Sequence, residues 1–395
     1  MNRYERPQQS LSITLPRADR TLEDFRLSAP RDFPARVSGR LNRIAFAAAH
    51  VVADPLAECD PWIDAPVDWD ATIRFREHLW DLGFAVAEAM DTAQRGMGLS
   101  WPQSLELIRR TVAAAKARGA SVFSGAGTDH LAPEAARTID DVIRAYEEQI
   151  EAIEQCGGRI ILMASRALAR VARSPDDYRK VYDRILGQVR EQVIIHWLGD
   201  MFDPALAGYW GSRDLGAVMD IAVDIINAND SKVDGVKISL LDKHKEIAMR
   251  RRLKQGVRMY TGDDFNYAEL IAGDEQGYSH ALLGIFDVIA PAASAALVAL
   301  AANDRSRFDD ILAPTVPLSR HIFRNPTRFY KTGVVFMAHL NGHQDNFTMI
   351  GGQESARSTL HLAEIFRLAD AAGLLRDPAL AVARMRKVLE TRGIG

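Results

Sequence analysis

The residue in this chain best placed to do covalent chemistry is a lysine embedded in an apolar run, Val-Asp-Gly-Val-Lys-Ile-Ser-Leu-Leu over residues 233–241. Period-two alternation puts Val233, Gly235 and Lys237 on one face of a strand and Val236 and Ile238 on the other. If the Val236 face packs on helices, Lys237 points into the interior. Burial there favours the neutral amine, the form that attacks a carbonyl carbon to build an imine. The plainer reading is a lysine that snorkels to solvent or pairs with a carboxylate.

The other residues of chemical interest stand where short apolar runs end. They are His50, Asp54, Asp91, Thr92, Ser124, Ser165, His196, Asp200, Thr261, Asp263 and Asp264. Histidine titrates near neutrality, with an unperturbed pKa of about 6.5, so His196 is the candidate acid or base. Thr92 offers a hydroxyl for a carbonyl or carboxylate, and Arg166, beside Ser165, offers a guanidinium fork for an anion. Asp263 and Asp264 precede a helical pattern and read as helix caps. His50, Asp91 and His196 would also suit a divalent metal, although no HExxH-type signature supports one. Ser124-Gly-Ala-Gly-Thr128 lacks phosphate-loop spacing and reads as a turn.

The elements that must position these residues follow from the apolar periodicity. Eight short strand-like runs fall at 43–49, 84–90, 120–124, 159–164, 192–197, 233–238, 257–261 and 279–284, with amphipathic helical patterns between them. Eight βα units predict a closed (β/α)8 barrel, and such barrels carry their sites at the C-terminal ends of the strands. Residues 1–40, rich in proline and charge with one alternating stretch at 11–15, form an N-terminal extension, and 41–303 form the barrel. Residues 304–395 form a helical cap with expected helices at 320–340, 355–372 and 378–390.

Composition narrows the partners. The chain has 395 residues, 47% hydrophobic and 26% charged, with 49 Lys+Arg against 52 Asp+Glu. This is an ordinary globular balance with no basic footprint for nucleic acid or anionic membrane. Even Met249-Arg-Arg-Arg-Leu-Lys254 lacks the aromatic interleaving of a single-strand binder. Cys59 and Cys156 have no metal-like spacing and give no disulfide framework, which suggests a reducing, cytoplasmic setting. The polar N-terminus does not read as a signal peptide, and no apolar run is long enough to span a bilayer.

The order of short motifs resembles one superfamily. Gly-Val-Lys at 235–237 is similar to the sixth-strand lysine motif of the dihydrodipicolinate synthase / N-acetylneuraminate lyase superfamily. Thr261-Gly-Asp-Asp264 is similar to the Ser-Gly-Asp-Asp after its seventh strand, Ser124-Gly-Ala-Gly127 to its third-strand glycine turn, and 192–197 takes the place of its fifth strand. The likeness runs over about residues 41–375. It implies a (β/α)8 barrel, a Schiff base on Lys237, no organic cofactor and a homodimer or homotetramer. The departures are specific: His196 stands where the superfamily has a proton-relaying tyrosine, and the carboxylate-binding arginine has no counterpart in Leu198-Gly-Asp-Met-Phe202. The threonine pair becomes Thr92-Ala93, and a tyrosine pair becomes Ser165-Arg166. These changes argue against dihydrodipicolinate synthase activity itself.

The sequence therefore points to a lyase that cleaves, condenses or dehydrates a keto acid or keto sugar. Lys237 is its nucleophile and His196 its proton carrier, while Thr92, Asp91, His50, Arg166, Ser165, Asp200 and Thr261 contact substrate. No metal is required in this reading. A metal-dependent aldolase or isomerase using His50, Asp91 and His196 is the first alternative, and a non-catalytic sugar-binding barrel the second.

Overall fold

The structure, a computed structural model, describes residues 11–394. Eight parallel strands follow the N-terminal arm: β3 (Ala45–Ala48), β4 (Ala85–Glu88), β5 (Val122–Ala126), β6 (Arg159–Leu162), β7 (Val193–Leu198), β8 (Val233–Ser239), β9 (Arg258–Thr261) and β10 (His280–Leu283). They close in chain order, with β10 pairing β3, so the expected (β/α)8 barrel is the fold. In the arm, β1 (Ser12–Pro16) and β2 (Leu22–Arg26) form an antiparallel hairpin rather than a lone edge strand. Arg367 bonds the Pro16 carbonyl at 3.0 Å and Glu23 at 2.7 Å, which ties the hairpin to the C-terminal helices.

Helices start where the local chemistry favours it. Thr138 and Asp141 satisfy each other's backbone N–H at the head of the Ile139–Gln155 helix, and Pro175, which has no N–H to leave unpaired, opens the helix Pro175–Gln188. The helices bury one face against the strands, in a core separate from the one inside the barrel. The inner core is small and aromatic-rich: Phe46 lies edge-to-face with Phe123 at 5.0 Å and with Tyr260 at 5.7 Å, beside Ile161, Ile194 and Leu282. Each such ring, fully withdrawn from water, stabilises the fold by about 1.5–3 kcal/mol. These residues plug the barrel and leave chemistry to its upper rim.

Two expectations are corrected. Val233 packs in the outer core with Val236 and Ile238, not on the inner face with Lys237. The register between β7 and β8 slips there, Val193 facing Val233 but Ile194 facing Gly235, and this bulge resets the alternation before Lys237. The second correction concerns the expected helix at 320–340, which is broken. One helix, Thr315–Ile322, stops ahead of Asn325-Pro326, and the next, Tyr330–Leu340, starts after it. Proline lacks the N–H that would continue the helix, and it disfavours helical backbone in the residue before it. The break sets Tyr330 at a helix start. Among the described residues no helix is long and apolar enough to cross a membrane.

Candidate active site

Lys237 lies on β8 in register with His196 of β7 and Tyr260 of β9, and its side chain is buried in a small chamber at the C-terminal end of the strands. Polar groups around it are Asp91, Thr92, His196, Ser239, Asp264 and Tyr330; Phe202, Phe323, Met90 and Leu198 supply apolar walls. Gly262 gives the lysine its passage, because a Cβ there would come within 2.9 Å of Lys237 Cε. Ala89 and Leu241, just past the ends of β4 and β8, both take left-handed backbone, with φ of 51° and 53°. Such conformations are costly for non-glycine residues and recur where a chain must aim side chains at a site.

The electrostatics of the chamber are dominated by desolvation. Burial pushes the Lys237 amine below its ordinary value, while the carboxylates of Asp264 and Asp91 act against that shift through space. Burial likewise pushes the Asp264 carboxyl up to about 7, although its Oδ1 accepts the Ile285 N–H at 2.9 Å. His196 is held well below its usual range, first by burial and then by the neighbouring lysine charge, so its ring is neutral at pH 7. Its Nε2 sits 3.2 Å from Ser239 Oγ, and its buried Nδ1 has no partner. A buried nitrogen left so is free to accept or donate a hydrogen bond, according to the tautomer.

Tyr330 comes from the C-terminal helical region, and its hydroxyl lies 2.8 Å from Thr92 Oγ1. Burial first, and the Asp91 charge second, raise its phenol well above its ordinary pKa and keep it protonated. Its ring stacks on Phe323 at 4.4 Å, and the pair forms part of the chamber wall.

Of the residues singled out in the sequence, Lys237, His196, Thr92 and Asp91 meet in this chamber. Arg166 does not; it lines an adjoining cavity of about 510 Å³ that shares Asp91 and Leu198 with the chamber, and it pairs with Asp203 at 2.5 Å. Ser165 caps the Arg166–Val171 helix and bonds Thr128 at 2.6 Å. Thr261 donates to buried Glu246 at 2.9 Å. Asp200 lines a separate surface cavity beside Trp197 and Gly208. His50 is fully buried against Asp287, its Nδ1 2.8 Å from the carboxylate, and it does not line the chamber. The trio His50, Asp91 and His196 is therefore not gathered, and among the described residues no group of three His, Cys, Asp or Glu is arranged to hold a metal ion.

Sequence reasoning missed Tyr330, Ser239 and the aromatic walls, and it gave Asp264 a capping role. Neither aspartate caps the helix Tyr267–Ala272, whose N-cap position is Asn266: Asp263 accepts the Phe265 and Asn266 N–H groups in the turn before it, and Asp264 turns to the chamber. The Asp-Asp doublet carried a usable signal, since one turn ahead of a helix needs only one aspartate to hold its N–H groups. Tyr330 carried none, lying in an amphipathic stretch far from the strands.

Comparison with known proteins gives three findings. The profile of a family described as "Protein of unknown function (DUF993)" matches residues 13–394. No curated protein matches. Solved structures with the same fold include the chloride-inhibited dihydrodipicolinate synthase of Acinetobacter baumannii complexed with pyruvate, at 17% identity and a TM-score of 0.61, covering 84% of this chain and 99% of that one. The dihydrodipicolinate synthase of Bacillus clausii follows at 15% identity and 0.61, covering 84% and 97%. That of Aquifex aeolicus stands at 14% and 0.56, covering 89% and 98%. At such identities the likeness shows the fold.

Proposed function

The chain belongs to the DUF993 family of unknown function, and we propose that it is a lyase forming a Schiff base between Lys237 and a keto acid or keto sugar. The observation that carries this reading is the burial of Lys237 at the barrel mouth among Asp264, Asp91, His196 and Tyr330, with its amine shifted toward the neutral form. The shared fold with dihydrodipicolinate synthases, one of them complexed with pyruvate, supports it.

In this mechanism the Lys237 nitrogen adds to the substrate carbonyl carbon, and the carbonyl oxygen leaves as water after taking up protons. Asp264, with a carboxyl near pKa 7, is matched to deliver and recover a proton at neutral pH. The resulting iminium draws electrons from the adjacent carbon, so a carbon–carbon bond can break, or a proton leave, at lower cost. His196 accepts or returns that proton at its unpartnered Nδ1, and the Thr92–Tyr330 hydroxyl pair offers a second proton route. Asp91 accepts hydrogen bonds from substrate hydroxyls. The chamber has free space of only about 10 Å³, so the body of the substrate occupies the adjoining 510 Å³ cavity, where Arg166 and Asp203 stand. No cofactor enters this mechanism. A dimer or tetramer and a cytoplasmic location remain part of the proposal.

The test is borohydride reduction with a panel of keto acids and keto sugars, followed by peptide mass analysis, on the wild-type chain and Lys237→Ala. The expected result is a reduced adduct on the peptide bearing Lys237, absent in the variant. An adduct on another lysine, or none across the panel, overturns the reading.

A further inference from the structure

Away from the barrel mouth, a second cavity of about 520 Å³ lies between the N-terminal arm at residues 30–35 and the barrel, and its lining is polar in an organised way. At its base is Asp287, whose side chain is 1% exposed. One carboxylate oxygen, Oδ2, accepts both the backbone N–H and the ring nitrogen of His50, each at 2.8 Å. The other, Oδ1, is buried with no partner, and so is Nε2 of His78 in the same lining. His343 completes the floor, its ring 4.6 Å from that of His78. Burial pushes both imidazoles down, His78 to about 4, so both are neutral near pH 7. At the rim stands the exposed guanidinium of Arg376, whose charge is felt at both histidines; Arg31 is also in the lining, its guanidinium bonded to the Asp310 carbonyl at 2.9 Å.

A buried carboxylate oxygen without a donor costs roughly 1–3 kcal/mol, so an occupant that brings a hydrogen-bond donor to the floor is favoured over one that brings none. The rim guanidinium asks for the opposite, an anion with two oxygens. The volume lies within the range of about 300–1,000 Å³ typical of small-molecule sites. We propose that this cavity is a second binding site, distinct from the Lys237 chamber, for a small carboxylate that also bears a hydroxyl or ammonium group: the donor on Asp287 Oδ1 and His78, the carboxylate on Arg376.

The site adjoins the chamber through two elements. Asp287 belongs to the helical turn Ile285–Val288, whose first N–H holds Asp264 Oδ1. Asn341 and His343, also in the lining, follow the helix that begins at Tyr330. An occupant therefore bears on the supports of two chamber residues.

The experiment compares three six-carbon carboxylates on the full chain by calorimetry and thermal shift: gluconate, with hydroxyls; norleucine, with an ammonium; and hexanoate, with neither. Gluconate or norleucine is expected to bind and raise Tm, with hexanoate weaker by about tenfold or more for want of the donor. Arg376→Gln, on the exposed rim, is expected to weaken binding about tenfold, while Lys237→Ala leaves it unchanged. Asp287→Asn tests the floor, but this residue also anchors His50, so Arg376→Gln is the decisive variant. Absence of binding by both donors up to about 10 mM overturns the proposal. So does equal binding of hexanoate, or binding lost in Lys237→Ala and kept in Arg376→Gln, which would place the ligand in the barrel. None of these outcomes depends on whether Lys237 forms an imine.

Discussion

The hydroxyls of Thr92 and Tyr330 lie 2.8 Å apart although the residues are 238 positions apart in the chain. This bond joins the second βα loop to the C-terminal helical region and closes the chamber around Lys237. It makes the C-terminal region part of the site rather than a cover over it. Tyr330→Phe is expected to retain the borohydride adduct on Lys237 while turnover falls by about 10²–10⁴-fold, the usual weight of a positioned proton donor. Loss of the hydrogen bond itself should cost only about 1 kcal/mol of stability. Unchanged turnover in this variant would leave proton transfer to His196 and Asp264.

The pH dependence of imine formation follows from the charges around Lys237. A protonated amine is inert, so the rate of adduct formation should rise with pH as Lys237 loses its proton. Because the Asp264 carboxylate favours the charged amine, Asp264→Asn should lower the lysine pKa and move the midpoint of that rise to lower pH. The amide oxygen can still accept the Ile285 N–H, which preserves the local structure. Trapping rates across pH in both proteins decide it, and a midpoint that moves upward contradicts the assigned electrostatics.

A second titration concerns stability. Burial raises the Glu246 carboxyl from 4.5 to about 8. Its oxygens accept hydrogen bonds from Ser279 at 2.6 Å and Thr261 at 2.9 Å. Between these values the folded chain holds a proton that the unfolded chain releases, so this contribution is full below pH 4.5, declines as pH rises and is gone above pH 8. Glu246→Gln, which carries no titrating proton, should flatten the fall of Tm over that window. A slope equal to wild type would refute the assignment.

Outside the barrel wall, Arg76 bonds both oxygens of Glu88, at 2.8 and 2.9 Å, with both side chains fully buried. Thr111 adds a third bond at 2.6 Å, and Arg76 also reaches the carbonyl of His50. Removing one partner strands a charge, so Glu88→Gln is expected to destabilise the fold by about 3–5 kcal/mol. Chemical denaturation measures this directly. A loss under about 1 kcal/mol would mean that water reaches the arginine.

The order of elements was readable from the chain because it is a local property: apolar runs of strand length alternate with amphipathic ones, and each run's end marks the rim. Lys237, His196, Thr92 and Asp91 stand at such run ends, and the structure brings the four to one chamber. The alternation around Lys237 also survived, even though the bulge at Val193 and Val233 put Val233 on the other face. What each rim residue faces was decided only in three dimensions. Ser165 is spent on a helix cap, Thr261 on a buried hydrogen bond and Asp263 on a turn, while His50 turns to Asp287 and Asp264 turns inward. Tyr330 and Asp287 meet their partners Thr92 and His50 across more than 200 residues of chain. No periodicity records such contacts, because they arise from how the closed barrel and its C-terminal helices pack, and a single chain carries that information only through the fold as a whole.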